Sequence, residues 1–228
     1  LQNLISTGVN MMDTIIVGKF LGVSALASVG ATGSINFMII GFCMGVCNGF
    51  AIPVAQRFGA KDEHGMRKFV ANSVWLSIIF AVVMAVLVCV FCRQILELMN
   101  TPEDIIQGAY DYIFIIFLGI PCTFLYNFLA GVARALGDSK TPLFFLLLSS
   151  VINIILDFVL MIPIPLGVAG AAIATVISQL ISCVLVLWCL YKTEGSYQLR
   201  FSKLKINGAY MEQIFQVGVP AGIQSTVI

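Results

Sequence analysis

Residues 34–55, 69–91 and 167–191 contain no Asp, Glu, Lys or Arg, and this feature restricts the chain more than any other. At 1.5 Å of rise per residue, roughly 20 apolar helical residues cross the about 30 Å hydrocarbon core of a bilayer. A soluble fold cannot hide several such runs, because its surface helices need a polar face. Composition agrees: 60% of the residues are hydrophobic and 10% charged, against about 25% charged in an average soluble domain. The expectation is an all-α polytopic membrane protein in contact with the lipid bilayer, each span satisfying its own backbone hydrogen bonds.

Six spans and the start of a seventh are predicted. The first covers residues 1–18, the second 34–55 and the third 69–91. Thr101-Pro102-Glu103-Asp104 has a capping residue, a proline at the first helical position and two acids facing the dipole, which predicts a fourth helix over 101–133. Thr141-Pro142 opens a fifth over 141–162, and Pro163 and Pro165 force a turn before a sixth over 167–191. A polar stretch follows. The domain reading is a six-helix lobe over 1–191, a cytoplasmic linker over 192–213 and the first part of a seventh helix over 214–228. Pro53 and Pro121 predict kinks within spans two and four. No charged leader precedes Leu1, which already lies in an apolar run, so the chain reads as a piece cut at both ends.

Several functional classes are disfavoured. The net charge is +1 and the 12 basic residues form no dense cluster, so no nucleic-acid partner is expected. No GxxxxGK[ST] run is present to hold a nucleotide, and neither an enzymatic activity nor a cofactor is expected. The seven cysteines, Cys43, Cys47, Cys89, Cys92, Cys122, Cys183 and Cys189, lie in or beside apolar runs and read as packing residues. Cys89-x-x-Cys92 has metal or redox spacing but lacks a second pair and a nearby histidine. The one histidine, His64, lies in a charged loop.

Charge gives an orientation. Arg57, Lys61, Arg67, Lys68, Arg134, Lys140, Lys192, Arg200, Lys203 and Lys205 fall after spans two, four and six, leaving Lys19 and Arg93 for the other face. The positive-inside rule then places the basic loops and the N-terminus in the cytoplasm of a plasma (inner) membrane protein.

Two carboxylates interrupt the spans: Asp13 in the first and Asp157 in the fifth. Each costs roughly 2.5–3.5 kcal/mol at a helix centre, so such residues face a cavity or a partner. Protonating an ordinary aspartate at pH 7 costs about 4 kcal/mol, close enough that a modest change in hydration switches the proton. Asp13 lies six residues before Lys19 and Asp157 six before Pro163, at the same face, which places both about 9 Å below it. Asn153 is one turn deeper on the face of Asp157, and Thr175 lies about 12 Å along span six from the same side. Asp13, Asn153, Asp157 and Thr175 thus share one layer and form a candidate oxygen-rich site for H⁺ or Na⁺. The alternatives are a snorkelling or capping Asp13, a structural Asp157, and an Asn and a Thr that only join helices. Gly41, Gly45 and Gly49 on span two, and Gly167, Gly170, Ala171, Ala172, Ala174 and Thr175 on span six, mark close helix packing.

The segments MMDTIIVGKFLGVSALASVGA (11–31), PVAQRFGAKD (53–62), ARALGDSKTPL (133–143), NIILDFVLM (153–161) and GVAGAAIATVISQ (167–179) resemble, in this order, the multidrug and toxic compound extrusion (MATE) family. The resemblance implies twelve helices in two six-helix lobes with alternating access, this chain being the first lobe and the start of the second. Ile223-Gln224-Ser225 echoes Leu1-Gln2-Asn3 at that point. In the DinF-like branch an aspartate on helix one, an Asn-x-x-x-Asp pair on helix five and a threonine on helix six form a cation site, a pattern matched by Asp13, Asn153, Asp157 and Thr175. The implied activity is antiport of cationic or amphipathic drug-like molecules against H⁺ or Na⁺, with the remaining lobe as partner. The alternatives are a flippase for a lipid-linked precursor, which calls for a cationic cavity, and a non-transport membrane scaffold.

Overall fold

The computed structural model describes the backbone of residues 2–162, 164, 166–192 and 206–227. Pro163 and Pro165, invoked above for a turn, and most of the inter-lobe stretch lie outside the described residues. All regular structure described is helical: α1 Gln2–Leu21, α2 Val23–Gly59, α3 Glu63–Val90, α4 Cys92–Leu98, α5 Ile106–Leu118, α6 Ile120–Ala135, α7 Lys140–Met161, α8 Val168–Lys192 and α9 Gly208–Val227. Among them α2, α3, α7 and α8 are long and apolar enough to cross a membrane, and α5 with α6 makes one bent span. Together with the 20-residue α1 they form the expected six-span bundle, and α9 begins the seventh span.

Helix boundaries differ from the sequence reading in four places. α2 starts at Val23 rather than at residue 34, because SALASVGATG contains neither proline nor charge, and its small residues continue a helix once packing supports it. The only break from α1 is Gly22, at φ +88° and ψ −177°, a conformation that needs glycine. α3 starts at Glu63, capped by Asp62, whose side chain accepts from the Gly65 N–H at 2.9 Å. That amide, followed by the Arg57 guanidinium 3.2 Å away, holds the Asp62 carboxyl below its usual range.

Thr101 does not open a helix. It closes the unforeseen short α4, whose end carries Asn100 at φ +54° with Asn100 N–H bonded to the Glu97 carbonyl and Thr101 N–H to that of Leu96. This is the paired hydrogen bonding of a Schellman ending, and the next helix begins only at Ile106. The same ending recurs at Lys61 after α2 and Gly137 after α6. α9, finally, starts at Gly208, inside the stretch assigned to the linker.

Pro121 produces the expected bend, 45° between α5 and α6 at Gly119, whereas α2 continues through Pro53 as one helix. One large core joins α2, α3, α5, α6 and α8, with Phe50, Phe117, Phe124 and Phe128 fully buried. A second, smaller cluster of Ile16, Val17, Met161 and Ala171 holds α1 against α7 and α8. Cys89 and Cys92 sit on either side of the break between α3 and α4. Among the described residues no three His, Cys, Asp or Glu side chains stand close enough to ligate a metal together.

Candidate functional site

α7 follows Ser149, Asn153 and Asp157 along one face at four-residue spacing. All three are buried, Asp157 at 0% exposure and Asn153 at 2%. The opposing helix α8 comes close because Gly170 has no side chain: a Cβ there would stand 3.0 Å from the Leu160 carbonyl oxygen. Polar rungs join the two helices. Ser149 Oγ donates to the Ser178 carbonyl at 3.0 Å, Asn153 Nδ2 to Thr175 Oγ1 at 3.4 Å, and Ser182 Oγ to the Phe145 carbonyl at 3.4 Å. Thr175 Oγ1 in turn donates to the Ala171 carbonyl at 3.0 Å.

α1 supplies the third wall. Ile16 and Val17 seat it in the smaller core, and Phe20 meets Phe158 edge to face at 5.9 Å. This brings the Asp13 carboxyl into side-chain contact with that of Asp157. The structure therefore gathers all four residues singled out in the sequence: Asp13 against Asp157, and Asn153, one turn away on the same helix, against Thr175.

It also adds one that sequence reasoning missed. Tyr112 of α5 packs into the same small core and lies within electrostatic reach of both aspartates. In the sequence it sits in YDYIFIIF, where a tyrosine reads equally as an interfacial anchor.

The electrostatics of the cluster are one-sided. Asp13 Oδ1, Asn153 Oδ1 and both carboxyl oxygens of Asp157 are buried without a hydrogen-bond donor. Buried acceptors normally have partners, and each orphaned one costs about 1–3 kcal/mol, more when charged. Two carboxyls in contact cannot both stay ionised without a cation between them. The arrangement therefore suits a bound proton or a small hard cation with oxygen ligands.

The MatE family model matches residues 1–159 of the chain. The chain belongs to the MatE family. Among curated MatE relatives, the probable multidrug resistance protein YoeA of Bacillus subtilis is 33% identical over 237 residues, covering 100% of the chain and 51% of the relative. The multidrug export protein MepA of Staphylococcus aureus is 26% identical over 200 residues, covering 86% and 44%. An outward-facing structure of a multidrug resistance MATE transporter of the MOP superfamily superposes with a TM-score of 0.89 at 24% identity, covering 98% of the chain and 50% of that structure. The inward-facing form gives 0.87. The chain spans about half the length of the curated relatives it matches, and as a MatE protein it is a multi-pass membrane protein of a transporter family.

Proposed function

We propose that this chain forms the ion-coupling lobe of a secondary active exporter that moves cationic or amphipathic small molecules out of the cell in exchange for H⁺ or Na⁺. One observation carries the reading: Asp13, Asn153 and Asp157 present four buried acceptor oxygens and no donor to meet them. Such a cluster is stable when a cation occupies it. The cost of charge in the bilayer, roughly 2.5–3.5 kcal/mol per acid, is relieved on binding and returns on release. That difference drives alternation between two lobe arrangements when ion and substrate favour different ones. The names of the relatives support the substrate class, because YoeA and MepA are called multidrug resistance and export proteins.

Asp13 and Asp157 are the primary ion ligands, Asn153 and Thr175 complete the oxygen set, and the rest of the transporter supplies the other wall of the substrate cleft. The basic ends of α2, α6 and α8 face the cytoplasm of the plasma membrane, as does the N-terminus, so the acid pair lies near the outer surface. The test is efflux of a fluorescent cationic dye by the full-length protein, with pH and Na⁺ gradients imposed separately. Wild type is expected to export under at least one gradient, and Asp157→Asn to lose at least tenfold of that rate. Full efflux by the variant would remove Asp157 from the coupling site.

A further inference from the structure

The end of α8 carries an aromatic ring and a cation that the ion cluster does not use. Ile177, Leu180, Val184, Trp188 and Tyr191 are all exposed, at spacings of three and four residues. They form one apolar stripe along the helix, a face that in a membrane protein meets lipid. Lys192, the last residue of α8, ends the stripe with its ammonium 5.0 Å from the centre of the Trp188 ring. The four-residue spacing and the cation–ring contact hold the charge at one height. Tryptophan and lysine together mark the level of the headgroups.

The start of α7 meets the end of α8 at this level. An open cleft of about 390 Å³ lies between them and the end of α6, with Leu136, Pro142, Val186 and Leu190 in its lining. The lining also holds an acid, Asp138, which is engaged locally. Its Oδ1 accepts from the N–H of Lys140 at 3.1 Å and that of Thr141 at 3.0 Å, so the start of α7 offsets its charge. Lys140 and Lys192 are both exposed, and neither forms an ion pair among the described residues. Two cations thus stand over an apolar cleft and an apolar stripe.

We propose that the ends of α7 and α8 bind an anionic phospholipid of the cytoplasmic leaflet, its phosphate at Lys192 and Lys140 and an acyl chain along the stripe from Trp188 to Leu180. The choice of leaflet rests on the orientation proposed above. Charge complementarity selects the occupant. A zwitterionic headgroup brings its own cation toward two lysines, whereas an anionic one is attracted by both. A free phosphate would match the lysines but leave the cleft and the stripe uncovered. Trp188 positions the Lys192 ammonium without neutralising it, because a ring contact leaves N–H donors for the phosphate.

The experiment uses the full-length protein in nanodiscs of phosphatidylcholine with phosphatidylglycerol as the minor lipid. The protein is released into mild detergent, and the lipids that stay bound are counted by native mass spectrometry. Wild type is expected to retain phosphatidylglycerol well beyond its share of the mixture. Lys140→Gln with Lys192→Gln should lower that enrichment at least about tenfold, since each lysine near an anionic headgroup contributes roughly fivefold. Trp188→Leu, which keeps both lysines, should lower it about threefold. Lys192→Arg keeps the cation and is expected to keep the enrichment.

Equal enrichment in wild type and the double variant, or no enrichment in wild type, would overturn the site. Loss of enrichment in Lys192→Arg would assign the effect to packing and overturn it as well. Glycerol 3-phosphate in excess is expected to leave the lipid bound; displacement would mean a site for soluble anions instead. Neither dye nor ion gradient enters the measurement, and the nanodisc carries the lipid in both leaflets. Failure of the exporter reading or of the orientation therefore leaves the result unchanged.

Discussion

At the scale of single residues, the cluster is defined by what its oxygens lack. Asn153 spends its amide N–H on Thr175, leaving its carbonyl oxygen and those of Asp157 unpartnered. Asn153→Ala is expected to weaken ion binding severalfold while leaving Asp157 in place, as measured by ion-dependent protection of melting in the full-length protein. Tyr112→Phe keeps the ring in the small core and removes only the hydroxyl. It should shift the melting temperature by no more than about two degrees and lower ion affinity, since the hydroxyl lies within electrostatic reach of both acids. The four residues named from the sequence were legible because an acid inside an apolar run stands out, and because helical rise fixes depth. Tyr112 was not: a tyrosine at a span's end is common for reasons of lipid interface, and nothing local ties it to residues on α1 and α7.

At the scale of helices, α2, α7 and α8 were legible from apolar length and their ends less so. The cap at Asp62 is a local device with a pH signature. Its carboxyl is held below the usual 3.8 by the Gly65 amide and then by Arg57, so its contribution to the first turn of α3 is complete above that value and is lost as pH falls through the lower folded-state value. Protection of the Gly65 amide, taken against its intrinsic exchange rate at each pH, should therefore fall on acidification below pH 3.8 and be lost at all pH values in Asp62→Ala. Close approach was legible only as glycine, without its partner. Gly119 faces Val176, with a Cβ position 2.5 Å from a valine methyl, and it also marks the 45° bend. Gly119→Leu would overpack that contact, at a typical cost of about 1–3 kcal/mol, seen as a lowered melting temperature. Thr101-Pro102 misled because the same residue types that open a helix also follow one, and α4 was too short for periodicity to reveal.

At the scale of the molecule, six helical spans form a bundle with a cluster of unpartnered buried acceptor oxygens between α1, α7 and α8. α9 packs on α2 and α3, with Ile214 in the main core. No sequence pattern here identifies α9 as the neighbour of α2, because both carry glycines for reasons that only the packed structure makes plain. The central claim, that Asp13 and Asp157 couple ion movement to export, is tested most directly by measuring ion entry and dye export together. The full-length protein is reconstituted in liposomes as wild type, Asp13→Asn and Asp157→Asn. The prediction is that wild type takes up H⁺ or Na⁺ in fixed ratio to dye exported, and that either variant loses both fluxes together; dye export still coupled to ion uptake at the wild-type ratio in both variants would contradict it.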